Sequence, residues 1–278
     1  MRDALAPDDD GSAGGNPVSA KINSSVPHAP RIWNYWLGGK DNFAVDREVG
    51  DRMAQMYPDI VRLARADRAF LGRAVRHLVV EEGIRQFLDI GTGLPTADNT
   101  HQVAQALAPE ARIVYADNDP LVLSHARAVL VGTPEGATDY LDTDLREPEE
   151  ILRGAARTLD FDRPVAIMLL GVLIYVPDTA KAYAVVNHLM DAAPSGSFLV
   201  IAHSTSEVYG EATEEVVRLR NKAVSPPMTL RSGAEIARFF DGLHLLEPGL
   251  VSCTRWRPDP GAIEQREVDE FCGVARKP

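Results

Sequence analysis

The chain has 278 residues, 45% of them hydrophobic, enough for one full α/β domain with an added helical segment but not for a second independent domain. With 29 basic against 40 acidic side chains the net charge is −11, so a nucleic-acid surface would have to be local and work against an unfavourable field. Cys253 and Cys272 are too few for a disulfide framework and lack metal-ligand neighbours, and no segment is apolar over the length a bilayer requires; a cytoplasmic, metal-free protein is expected.

Residues 1–26, rich in Asp, Gly, Ala and Ser, read as a disordered tail without the basic and apolar regions of a signal peptide. Residues 27–82 read as an N-terminal helical cap. In it, Trp33, Tyr35 and Trp36 precede the polar, glycine-rich stretch Gly38-Gly39-Lys40-Asp41-Asn42-Phe43, a loop whose backbone can approach a ligand. It lacks the G-x-x-x-x-G-K-[ST] spacing of a P-loop. From Ile60 to Val80, at ~100° per residue, Leu63, Phe70, Leu71, Ala74 and Leu78 share one helix face while Arg62, Arg65, Arg73 and Arg76 share a face that reads as solvated. Asp67 falls within the apolar face and needs a partner: Arg68, a backbone amide or a cationic ligand.

The core is expected over residues 83–278 and opens on the most informative stretch. Gln86–Ile90 is a buried parallel strand, followed by Gly91, Thr92 and Gly93, whose missing Cβ atoms let a ligand approach the backbone. A helix is predicted to start near Thr96 or Asp98. A dinucleotide fingerprint would need a third glycine where Leu94, Pro95 and Thr96 stand, and Asp89 would lie close to its pyrophosphate. S-adenosylmethionine (SAM) has no phosphate, and its ammonium suits an acid. The pattern Asp89-x-Gly91-x-Gly93 therefore resembles motif I of class I methyltransferases, with Pro95 where that family commonly has another glycine.

Arg112–Ala116 reads as the second strand, and Asp117 at its end is placed to take the two ribose hydroxyls, with Asn118 beside the adenine. Asp119 before Pro120 reads as the cap of a helix through Leu121–Leu130. A third strand near Thr138–Thr143 leads to Asp144-Leu145-Arg146. By the class I resemblance, Asp144 would bond the adenine amino group and the Leu145 backbone a ring nitrogen; Asp142, on the same strand face, could exchange with Asp144 by register. Arg146 reads as an ion-pair partner.

The apolar run Pro164–Val176 suits a central fourth strand, with Leu170–Asp178 lining the site at its carboxyl end. Ala180–Met190 reads as a helix and Phe198–Ala202 as a strand closed by His203 on the ligand side of the sheet. There His203 is a candidate general base for a methyl acceptor, or a satisfied strand-end histidine. A helix over Gly233–Phe240, an apolar segment over Leu243–Cys253 and a strand around Val274 resemble the antiparallel hairpin closing a seven-stranded methyltransferase sheet.

The N-terminal signature from Pro30 to Phe43, the Asp89–Gly93 turn, the Tyr115–Pro120 strand end, Asp144-Leu145-Arg146 and the terminal Gly273–Lys277 together are similar to a mainly actinobacterial family of SAM-dependent methyltransferase-like proteins. The resemblance spans residues 28–278 and implies a class I Rossmann-like fold, a mostly parallel sheet with helices on both faces, and SAM as cofactor. It brings no substrate and no catalytic residue. Laid over the strand ends, the N-terminal segment would bring Tyr35, Gly39 or Asn42 near the methionine end of SAM. The leading expectation is transfer of a methyl group to a small molecule; the alternatives are a SAM- or nucleoside-binding protein without transferase activity and an NAD-dependent oxidoreductase.

Overall fold

A computed structural model describes residues 23–96, 98–122, 132–260 and 266–278. Most of the expected tail, and most of the helix expected over residues 121–130, lie outside the described residues. Among the described residues eight strands form one sheet: β1 Gln86–Ile90, β2 Arg112–Asp117, β3 Ala137–Asp142, β4 Ala166–Leu170, β5 Phe198–Ser204, β6 His244–Leu245, β7 Val251–Ser252 and β8 Glu270–Arg276. Their order is β3-β2-β1-β4-β5-β8-β6, with β7 also on β8. The first five run parallel; β8 pairs antiparallel with β5, and β6 and β7 antiparallel with β8. This is the expected sheet with the edge strand beyond β8 divided in two, β6 and β7, because Pro248 and the left-handed Gly249 (φ 90°) interrupt the segment Leu243–Cys253.

The helices are α1 Ala29–Trp36, α2 Ala44–Met56, α3 Ile60–Val80, α4 Thr100–Leu107, α5 Pro148–Ala155, α6 Thr179–Ala192, α7 Glu211–Ala223 and α8 Gly233–Ala237. Strand alternation divides the core in two. Phe87, Ile113, Met168 and Val200 pack with Phe70, Ala74 and Leu78 of α3, whereas Leu88, Val114, Ile167 and Ile201 pack with Ile151 of α5 and Leu189 of α6. The N-terminal helices thus share one continuous core with the sheet. No described helix is long and apolar enough to cross a membrane.

Several expected boundaries move. The fourth strand ends at Leu170, because Gly171 takes φ 62° and a 3-10 turn follows over Leu173–Tyr175. The helix after the glycine turn begins at Thr100, not Thr96 or Asp98; Asn99 precedes it and donates its backbone N–H to Gln102 Oε1 at 2.9 Å. Beyond α8 the chain tightens to 3-10 over Arg238–Phe240. The arginine face of α3 is not wholly solvated: Arg73 donates to the carbonyls of Trp256 (2.9 Å) and Cys253 (2.6 Å), clamping the C-terminal segment to the helix.

Candidate functional site

The carboxyl ends of β1, β2, β4 and β5 open into a cavity of about 280 Å³, roofed by α1 and α3 and walled by α7. Ligands in parallel sheets lie at this end because the strand-to-helix turns there present backbone amides and free side chains.

The turn after β1 is the first wall. At Gly91 (φ 76°) a Cβ would lie 2.3 Å from Val172 Cγ2, so glycine is required by packing as well as by backbone conformation. At Gly93 (φ 64°) a Cβ would meet nothing within 4 Å, which leaves an open shelf over the cavity. Asp117 steadies that shelf: its Oδ2 accepts from Gly93 N at 3.0 Å and its Oδ1 from Asp119 N at 2.9 Å. Asp89 accepts from Thr100 Oγ1 at 2.6 Å. Burial pushes both carboxyls up to about 6, against these hydrogen bonds.

The turn after β3 forms the rim. Asp144 accepts from Arg146 Nε at 2.8 Å and Nη2 at 2.5 Å, from the Arg146 amide at 2.8 Å and from Asn118 Nδ2 at 2.7 Å. The Arg146 hydrogen bond holds this carboxyl down at about 2. A carboxylate offers about four acceptor positions, so Asp144 meets an adenine amino group only if Arg146, which is largely exposed, yields one. Asp142 does not line the cavity.

Thus Asp89, Gly91, Thr92, Gly93, Asp117, Asn118, Asp144 and Leu145 come together around one space. Tyr35, Gly39 and Asn42 do not. Tyr35 Oη donates to Asp51 at 2.6 Å on the outer surface; Gly39 is required because a Cβ there would lie 2.3 Å from Asn34 Nδ2; and Asn42 Nδ2 donates to Asn34 Oδ1 and the Gly39 carbonyl, both at 3.0 Å. The glycine-rich loop is folded onto Asn34, and α1 turns Ile32, Trp33 and Trp36 to the cavity instead. A buried ion pair, Arg31 Nε to Asp46 Oδ2 at 3.1 Å, fixes α1 on α2, and His28 reaches Asp119 at 2.9 Å.

His203 also lies outside the cavity. Alternation along β5 puts it on the Leu199 and Ile201 face, stacked on Phe239, while its neighbour Ser204 faces the cavity. Arg231 can only donate, so His203 Nε2 accepts from it at 2.7 Å and Nδ1–H donates to the Ser204 carbonyl at 2.8 Å. Burial holds this imidazole neutral, its proton affinity pushed down to about 3. It is a structural histidine.

Four polar groups of the inner wall end in buried atoms without a hydrogen-bond partner: Asp67 Oδ1, Glu270 Oε1, Tyr57 Oη and Arg220 Nη2. Burial pushes Asp67 up to about 7, and the charge of Asp89 adds to that while Arg68 opposes it. Of these only Asp67 stood out in the sequence. Glu270 had a legible signal, an acid opening the otherwise apolar strand Phe271–Ala275; Arg220 and Tyr57 had none.

Residues 16–278 match the sequence model of the S-adenosyl methyltransferase family. A DUF574-family protein from Streptomyces avermitilis MA-4680 is 41% identical and superposes with a TM-score of 0.87 over 92% of this chain and 99% of its own. A candidate methyltransferase from Thermobifida fusca YX is 38% identical, with a TM-score of 0.83 over 91% of this chain and 95% of its own. No curated protein matches the chain.

Proposed function

The chain belongs to the S-adenosyl methyltransferase family, whose methyl donor is S-adenosylmethionine, and we propose that it methylates a small molecule held in the inner half of the cavity. The single observation that carries this reading is that the glycine shelf and four acids, Asp67, Asp89, Asp117 and Asp144, border one space of ligand size. The residues fit SAM on their chemistry: a shelf with room over Gly93, no phosphate cradle, and a buried carboxylate oxygen on Asp67 waiting for a cation. When bound, SAM supplies a methyl group on a sulfonium ion, which a nucleophile takes in one displacement.

In this reading Asp117 receives the ribose hydroxyls while bracing the Gly93 amide, Asn118 and Leu145 border the adenine, and Asp67 and Asp89 face the methionine end. Trp33, Trp36 and Ile32 of α1 close the roof and keep water out, so rate enhancement rests mainly on positioning and desolvation. Residues 27–82 serve as the cap and 83–278 as the SAM-binding core. The acidic surface argues against a nucleic-acid acceptor and, with the scarcity of cysteine, favours a cytoplasmic location.

Calorimetric titration with SAM, S-adenosylhomocysteine and NAD tests the reading. Binding of the two adenosyl-sulfur ligands alone is expected; binding of NAD alone would overturn it.

A further inference from the structure

We propose that Glu270, a buried residue bordering the cavity with one carboxylate oxygen unpartnered, is the recognition point for an amine on an otherwise apolar methyl acceptor. This rests on the placement of SAM against the β1–β3 turns. Glu270 opens β8, and its Oε2 accepts from Ser204 Oγ of β5 at 2.6 Å. That bond orients the carboxyl and leaves Oε1 without a partner, in a side chain 0% exposed. A buried carboxylate oxygen left so costs several kcal/mol unless a donor or a proton arrives.

The surroundings select what can arrive. Asp67 from α3 and Asp269 beside it both act on Glu270 and add to the burial that pushes its carboxyl well up, so it holds a proton unless a cation takes that place. Asp269 is already satisfied by the amides of Val208 and Tyr209 and the hydroxyl of Thr213, so it contributes negative field without competing for the ligand. Arg68 acts on Asp67 and Asp89, and its guanidinium donates to Asn99 at 2.8 Å. Arg220 stands 5.4 Å over the Tyr175 ring and is engaged there, donating to the Val224 and Pro226 carbonyls. A hydroxyl would supply one hydrogen bond and leave the negative field unbalanced, whereas an amine supplies several N–H donors and carries the proton itself. SAM brings one ammonium, which Asp67 can take, so Glu270 is left for the acceptor. Val216, Val217, Met228 and Leu230 wall the adjoining space with apolar surface, which suits a hydrophobic body and not a polyamine.

The test uses full-length protein saturated with S-adenosylhomocysteine and three probes of one shape: phenethylamine, 2-phenylethanol and phenylacetate. Phenethylamine should bind at least tenfold more tightly than either of the others, and Glu270→Gln should remove that preference while leaving affinity for S-adenosylhomocysteine within twofold. Equal binding of the three, no binding of any, or an unchanged preference in E270Q overturns the proposal alone. If E270Q fails to fold, the wild-type ranking still decides. Loss of S-adenosylhomocysteine affinity in E270Q with 5′-methylthioadenosine affinity unchanged would assign Glu270 to the ammonium of SAM and likewise overturn it. Failure of wild-type protein to bind S-adenosylhomocysteine overturns the underlying reading instead, and the amine assignment falls with it.

Discussion

Along β1 to β3 the acids that face the cavity are already engaged by the chain: Asp89 by Thr100, Asp117 by two backbone amides, Asp144 by Arg146 and Asn118. On the side of α3, α7 and β8, Asp67, Glu270 and Arg220 each keep a buried atom without a partner. The first half is preorganised by neighbours a few residues away or on an adjacent strand, so its geometry precedes the ligand. The second half is assembled from segments far apart in the chain and is completed only by what binds there. A constant ligand can be met by a finished wall; an acceptor with its own charge completes an unfinished one.

Both halves share a roof, and its removal should produce the largest effect. Asp46→Ala removes the carboxylate paired with buried Arg31, and unfolding free energy should fall by about 3–5 kcal/mol in denaturant titrations. A loss under ~1 kcal/mol would show that the pair does not hold α1 in place.

Within the finished half, Asp117→Ala removes the brace on Gly93 and, in the proposed reading, the ribose acceptor. S-adenosylhomocysteine should bind at least tenfold more weakly, which calorimetry reads directly; unchanged affinity would take Asp117 out of the site.

The unfinished half should reveal itself through pH. Asp67 in the folded, ligand-free protein binds its proton up to about pH 7, whereas in the unfolded chain it titrates near its ordinary 3.8. The folded state therefore holds more protons between these values, and its stability falls as pH rises through that window. Burial of Asp89 and Asp117 acts in the same direction up to about pH 6. Asp67→Asn should flatten the decline and leave the ligand-free protein more stable than wild type by ~1 kcal/mol or more at pH 8, with the difference vanishing near pH 4. Identical slopes in thermal unfolding across pH would show that Asp67 is paired after all.

The smallest effect on ligand binding is expected at His203. His203→Gln disturbs the bond to Arg231 and should lower the melting temperature, yet leave S-adenosylhomocysteine affinity within twofold. A tenfold loss would return this residue to the cavity.

The parts legible in the sequence are those decided locally. The β1 turn was readable because positive φ at Gly91 and Gly93 restricts those positions to residues without a Cβ, and Asp117 because a strand end fixes which way its side chain leaves the sheet. His203 was not, since β5 is buried on both faces and shows no polar alternation to say which face each residue takes. Nor was the choice of face on α1: aromatic residues surround that helix, and packing against α2 and α3 decides that Trp33 and Trp36 meet the cavity while Tyr35 faces Asp51.

The sequence by itself determined a mostly parallel sheet, its glycine turn and the acids at the ends of its first three strands, because backbone conformation and strand periodicity are properties of neighbouring residues; the class I methyltransferase reading came from the family resemblance of those motifs. Only the tertiary structure decided which side chains share the cavity with them. Asp67 from α3, Arg220 from α7 and Glu270 from β8 meet there through packing across the sheet, and whether a buried carboxylate has a partner depends on residues that no spacing along the chain brings together.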